Sequence, residues 1–350
     1  MTDLNAQTSY QEKDCWFDNA KAFLIISVIL GHFLSTVMSF ASFETTFPKW
    51  VYVLYKTIYI FHMPVFMAIS GRFSKRRVDS NDYVSVIKKV IVPYIIADTL
   101  LMLFFCALGY HSISDFSYLN PMYGMWYLFT IAFYQLISPY IVKYRFTFFV
   151  AIIVAIAANF FKFNLYGGFQ RILTFYPFFL LGYYTATNSF SFCRKKLFRA
   201  VSVLSFVLLA LFTYRFFDYI CDLTLTTNTV YSEIFKSLDV TKLEYLFIIL
   251  IRYAFGFVFF IFTLGIAPTK KNVFTKLGTY SVYIYILHLF VVVFIRSMDK
   301  QYGIMDNINT NPLIIIFCLM VIPISFVLVS SPVRKLTGWI VSPKFKTNKK

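Results

Sequence analysis
The chain is short of charge, and of acid above all. Only 14% of its 350 residues are charged, and 16 Asp and Glu stand against 33 Lys and Arg. A soluble domain is about a quarter charged and about half apolar. Here 59% of residues are hydrophobic and 21% aromatic, with a mean hydropathy of +0.68. The few polar residues cannot cover a globule. That excludes an ordinary soluble enzyme and a disordered chain. Cysteine is also sparse: Cys15, Cys106, Cys193, Cys221 and Cys318 show no CxxC spacing, so neither a disulfide framework nor a zinc motif is expected. No internal repeat is visible, which leaves an inverted-repeat transporter without its usual support. Residues 1–14 are polar and hold no signal-peptide apolar region.

What remains is a series of long apolar runs. About 20 apolar residues span a bilayer, and runs of roughly that length occur at 21–41, 48–70, 86–109, 124–142, 146–162, 170–187, 197–217, 244–267, 279–297 and 312–333. The expected fold is therefore all-α, a polytopic membrane bundle of about ten transmembrane helices. The net charge of +17 would suit a nucleic-acid binder, but its placement argues otherwise. With the N-terminus inside, the inner segments hold Arg72, Lys75, Arg76, Arg77, Lys88, Lys89, Lys143, Arg145, Arg194, Lys195, Lys196, Arg199, Lys270, Lys271 and Lys276. The outer loops hold isolated cations such as Lys49, Lys162, Arg171, Lys236 and Lys300. This alternation is the positive-inside pattern and places both termini in the cytoplasm, facing anionic lipid rather than nucleic acid. The expected organisation is a cytoplasmic tail over 1–14, a transmembrane domain over 15–335 and a basic cytoplasmic tail over 336–350. The longest loop, 218–242, is expected outside and carries Asp218, Asp222, Glu233 and Asp239. Richness in Phe, Tyr, Ile, Lys and Asn suits a low-GC bacterium, hence a multi-pass protein of a bacterial plasma membrane.

Ionisable side chains within spans are costly and are functional candidates by default. In the first span Lys21 and His32 are eleven residues apart, almost three turns, so they share a face about 16 Å apart along the axis. Asp18, Ser35 and Thr36 lie near the same line. A stripe of this kind can also serve only to join helices. His62 lies about 14 Å from the inner end of the second span, and His288 about 15 Å along the ninth, on one face with Ser281 and Tyr285. Three of the four histidines thus sit at a similar depth on three helices. A three-His zinc site is one reading of that, but no carboxylate lies nearby in sequence, and no metal is expected. The run Arg72-Phe73-Ser74-Lys75-Arg76-Arg77 can serve orientation and lipid head groups, or hold a phosphate-bearing ligand through planar guanidinium forks. Towards the outer face lie Trp126 and Arg171, which read as an interface belt or as a glycan contact.

Together these segments resemble the acyltransferase-3 family, most closely its fucose-4-O-acetylase-like branch. Asp18, Lys21 and His32 are similar to that family's opening motif. Phe61-His62-Met63-Pro64-Val65-Phe66 through Ser70-Gly71 resembles its second-span motif. Trp126-Tyr127-Leu128 and Phe178-Phe179-Leu180-Leu181-Gly182-Tyr183 resemble its fourth- and sixth-span motifs. Leu277-Gly278-Thr279-Tyr280-Ser281 with Tyr285 and His288 resembles its late element. The likeness covers about residues 14–335. Two departures stand out. Lys21 occupies a place often held by Arg, which keeps charge and loses the bidentate fork. The family's Arg-x-x-Arg element appears as Arg72-x-x-Lys75 with Arg76 and Arg77 following.

The resemblance implies transfer of an acyl group, usually acetyl from acetyl-CoA, to a sugar hydroxyl. Acetyl-CoA enters as a substrate; no permanently bound cofactor is expected. Asp18, Lys21, Arg72, Lys75 and Arg76 would hold its polyanionic end at the cytoplasmic mouth. His32 would act as general base or transient acyl carrier, with Tyr285 and His288 as catalytic partners. His62, Trp126 and Arg171 would contact the acceptor, a lipid-linked or growing surface glycan. Asp18 lies about 21 Å along the helix from His32, too far to orient it, and is assigned to Lys21 as an i,i+3 partner. Tyr285, His288 and His62 remain the candidates to orient His32. A transporter or flippase of a glycolipid or polysaccharide precursor is the competing class, and a homo-oligomer is left open.

Overall fold
The structure of the protein, a computed structural model, describes residues 15–39, 47–161, 169–186, 189–217, 241–304 and 310–343. The acidic loop expected over 218–242 falls almost wholly outside them. Every regular element among the described residues is helical: α1 (Cys15–Ser39), α2 (Lys49–Asp79), α3 (Tyr83–Val86), a π-helical segment (Ile87–Ile91), α4 (Val92–Ala107), α5 (Trp126–Ile141), α6 (Thr147–Ala158), α7 (Phe169–Tyr184), α8 (Lys196–Arg215), α9 (Lys242–Ile266), α10 (Thr275–Thr279), α11 (Ser281–Tyr302), α12 (Asn311–Leu319), α13 (Val321–Leu328) and α14 (Ser331–Val341), with short 3₁₀ turns between some of them.

Among the described residues, seven helical stretches are long and apolar enough to cross a membrane: Cys15–Met38, Lys49–Asp79, Tyr83–Ala107, Lys196–Arg215, Lys242–Ile266, Ser281–Tyr302 and Asn311–Leu328. The fourth, fifth and sixth of the expected ten are shorter helices of 16, 12 and 16 residues. A 3₁₀ turn at Tyr123–Met125 takes the start of the expected fourth run, and the turn after Ile141 ends it. At the other end of the chain, α14 runs through residue 335, so the tail expected from 336 begins inside a helix.

The core forms where helices approach closely. A Cβ on Gly71 of α2 would sit 1.9 Å from the Phe179 carbonyl oxygen of α7, and one on Gly182 of α7 would sit 1.6 Å from the Ala68 oxygen of α2. The two motif glycines thus let one backbone rest on the other, the small-residue packing that replaces hydrophobic drive inside lipid. Gly278 does the same for α10 against Asp18 of α1, at 1.7 Å. The first turns of α1 are then stitched in place. Trp16 Nε1 donates to the Leu264 carbonyl at 2.8 Å, Asn19 Nδ2 to Pro268 at 2.6 Å, and Thr275 Oγ1 to Asn19 Oδ1 at 2.7 Å. Helix α8 lies at the rim; only 17% of its apolar stretch is buried. At the start of α9, Thr241 and Glu244 form a reciprocal capping box that satisfies two end-of-helix N–H groups.

Candidate functional site
The stripe expected on α1 is present. Lys21 Nζ pairs with Asp18 Oδ1 at 2.7 Å, and Thr279 Oγ1 donates to Asp18 Oδ2 at 3.0 Å. Three turns further, His32 meets two groups brought by other elements. Its Nδ1 lies 3.1 Å from the Tyr123 hydroxyl, and its ring centroid is 5.2 Å from that of His288 on α11. Tyr285 follows on the same face of α11, 6.1 Å from the His288 ring. His62 on α2 packs edge-on against Tyr59 at 4.8 Å and lies within electrostatic range of His32.

Hydrogen bonds fix the tautomers of two of these rings. His288 Nδ1 lies 2.9 Å from the Ile284 carbonyl, and His62 Nδ1 lies 2.7 Å from that of Ile58. A carbonyl only accepts, so each Nδ1 carries the proton and each neutral ring keeps its lone pair on Nε2. His288 Nε2 is buried and has no hydrogen-bond partner. An unpaired buried acceptor costs about 1–3 kcal/mol, and such groups mark places where a ligand or a proton belongs. The described residues hold no group of three His, Cys, Asp or Glu placed to bind a metal ion.

Tyr123, not one of the three residues expected, holds His32. Its backbone is left-handed at φ 48°, a conformation rare for a non-glycine residue and one that persists only where its surroundings enforce it. Three contacts do so. Asp98 on α4, fully buried, accepts from the Met122 N–H at 2.8 Å. Tyr94 donates to the Tyr118 carbonyl at 2.6 Å. The Tyr285 hydroxyl donates to the Gly124 carbonyl, and Gly124 leaves no room for a Cβ against Leu289. Above His32, Arg296 on α11 donates from Nε to Thr36 Oγ1 at 3.1 Å and from Nη2 to Ser35 Oγ at 2.8 Å, with its guanidinium 5.2 Å from the Tyr123 ring.

A cavity of about 730 Å³ opens at the end of the bundle where basic residues gather. Lys21, Arg77, Lys88 and Lys89 line its mouth; Phe66, Ser70, Leu128, Gln135 and Ser281 line its walls; Tyr127 and Tyr285 stand at its inner end. The wider π-helical turn carries Lys88, Lys89 and Val90 together onto the wall, a use of π geometry common at functional sites. Two buried polar atoms of lining residues have no partner: Arg77 Nε and Gln135 Oε1, whose Nε2 donates to Ser74 at 2.8 Å. The Tyr285 ring lies 5.1 Å from the Tyr127 ring. The cavity therefore ends one side chain short of the two imidazoles.

Of the expected site residues, the structure brings His32, His288 and Tyr285 together, joins Asp18 to Lys21, and stacks Arg171 on Trp126 at 4.8 Å, close to Tyr285. It does not bring Arg72, Lys75 and Arg76 to the cavity. Arg72 donates to the Thr185 carbonyl at 3.2 Å and covers the Phe17 ring. Lys75 pairs with Asp79 at 3.3 Å and lies over Tyr183, and Arg76 is exposed. The cause is that α2 does not end at Arg72 but continues to Asp79, so helical phase sorts the run and presents Arg77 instead. Asp98, Tyr123, Gln135 and Arg296 were not anticipated as site residues.

Comparison with known sequences agrees with the geometry. Residues 15–330 match the family described as Acyltransferase domain, of the acyltransferase-3 type. The chain is also similar to the Nodulation protein NolL of Sinorhizobium fredii, 38% identical over 96 residues, and to that of Mesorhizobium japonicum, 34% identical over 96 residues. Each match covers 27% of this chain and 24% of the relative, so the likeness spans about a quarter of those proteins' length. No solved structure matches the chain. With nearly the whole of it matched by one family and its apolar helices long enough to cross a bilayer, the chain is a multi-pass membrane protein that belongs to the acyltransferase-3 family.

Proposed function
We propose that the protein moves an acetyl group from cytosolic acetyl-CoA to a hydroxyl of a surface or lipid-linked sugar, with His32 as general base. The observation that carries this reading is the cavity: its cations stand at the mouth and its inner end stops beside the imidazole pair. CoA is long, thin and polyanionic at one end. Lys21, Arg77, Lys88 and Lys89 suit its phosphates, and the orphaned acceptor of Gln135 suits an amide N–H of the pantetheine arm. The thioester would then reach the Tyr127 and Tyr285 level.

In the transfer, a neutral His32 takes the proton of the sugar hydroxyl, and the oxygen attacks the thioester carbonyl. The tetrahedral intermediate collapses by breaking the C–S bond. The thiolate leaves and recovers the proton, giving acetylated sugar and free CoA with no change of oxidation state. Tyr123 holds the imidazole by Nδ1, which leaves Nε2 for the hydroxyl. The test is thiol release from acetyl-CoA by the purified protein with cell-envelope glycan as acceptor. Wild type releases thiol and transfers label; a preparation that binds glycan but never consumes acetyl-CoA overturns the reading and favours a transporter.

A further inference from the structure
We infer that Arg296, Tyr55, Tyr59 and Tyr123 form a binding site for an anionic sugar at the end of the bundle opposite the basic cavity. Calling that sugar the acceptor of His32 rests on the acyltransferase reading; the site itself does not.

The argument starts from charge. Arg296 is eight residues beyond His288 on α11, about 12 Å further from the basic mouth. Its polar partners are the neutral oxygens of Ser35, Thr36 and Tyr123. Among the described residues no carboxylate lies within ion-pair distance of it. A half-buried guanidinium held in place by hydroxyls, with no carboxylate against it among the described residues, is preorganised for a carboxylate brought from outside. Around it the surfaces are aromatic. The Tyr55 and Tyr59 rings meet at a tilt of 39° with their centroids 4.1 Å apart, both within its electrostatic range. Gly31 admits the Tyr59 ring beside His32: a Cβ there would sit 2.9 Å from Tyr59 Cε2. Flat rings that also carry a hydroxyl suit the mixed faces of a sugar. All four residues, like His32, are half-buried and keep accessible surface. None of them lines the basic cavity, so this approach to His32 is separate from that one.

The test uses the purified full-length protein in neutral detergent, with trigalacturonate as probe, maltotriose as its uncharged counterpart and short-chain phosphatidylglycerol as the lipid alternative. Thermal melting is followed against concentration. Trigalacturonate is expected to raise the melting temperature of wild type at concentrations at least tenfold below maltotriose. In Arg296→Gln that preference disappears, while Arg296→Lys keeps part of it. The melting shift given by acetyl-CoA should be unchanged in both variants, which shows that they are folded. Equal potency of the two sugars on wild type overturns the inference, and so does a preference that survives in Arg296→Gln. Stabilisation by phosphatidylglycerol that depends on Arg296, with trigalacturonate silent, overturns it in favour of a lipid contact. If Arg296→Gln does not fold, the wild-type preference and the Lys variant still decide. Should the preference hold while wild type never releases thiol, the acyltransferase reading falls and the sugar site stands.

Discussion
The two approaches to His32 are made of different materials. On one side a deep cavity carries four cations at its mouth and orphaned polar atoms along its wall. On the other, one guanidinium stands among three tyrosines. Clustered cations recognise a polyanion and respond strongly to salt; a single fork on aromatic ground recognises shape with one charge. On the proposed reading this is a division of labour, with one face tuned to the donor and the other to the acceptor.

The strongest test of that division is to remove what both sides share. His32→Ala should lower transfer by about 10²–10⁴-fold, the usual worth of a general base, while acetyl-CoA and trigalacturonate still shift the melting curve. If transfer survives, the two approaches do not meet at His32. Next, replacing Arg77, Lys88 and Lys89 together by Ala should raise the KM for acetyl-CoA by roughly one to two orders of magnitude, since charge-assisted bonds are worth about 1.5–3 kcal/mol each before solvent screening. The effect should shrink at high salt and leave trigalacturonate binding untouched. Tyr123→Phe should cost roughly fivefold in kcat, with the donor KM unchanged, because it deletes one hydrogen bond worth about 1 kcal/mol. Equal losses in kcat and donor KM would show that the loop, not the ring, is what matters. The smallest effect is expected at α8, where Leu204 is 55% exposed. Leu204→Ala should alter stability by no more than about 0.5 kcal/mol and leave both binding shifts as they are.

Much of the arrangement is readable from spacing alone. The eleven-residue step from Lys21 to His32, the Asp18 to Lys21 pair and the Tyr285 to His288 face are all local to one helix, where 3.6 residues per turn decides the outcome. The contact of Tyr123 with His32 joins positions 91 apart and depends on one left-handed backbone angle, which composition does not encode. The sorting of Arg72, Lys75, Arg76 and Arg77 turned on where α2 stops; read as a loop, the four are equivalent, and read as helix they are not. Asp98 and Arg296 carry a signal in the sequence itself: each is an ionisable residue within an apolar run, the feature that singled out the histidines. Among the described residues the expected fourth and fifth spans are short helices because turns at Tyr123–Met125, after Ile141 and after Ala158 take part of their apolar runs, and hydropathy does not distinguish those turns from helix.

The place where the cavity stops has a meaning beyond chemistry. Tyr127 is bonded to Ser70, and Tyr285 to the Gly124 carbonyl, so the floor of the cavity is a pair of rings held from both sides. A passage open at both ends would conduct protons down a gradient worth about 2.3 kcal/mol per charge at 100 mV. On the proposed reading, with donor and acceptor arriving at opposite ends, these two tyrosines would let the protein take both reactants and still insulate the membrane.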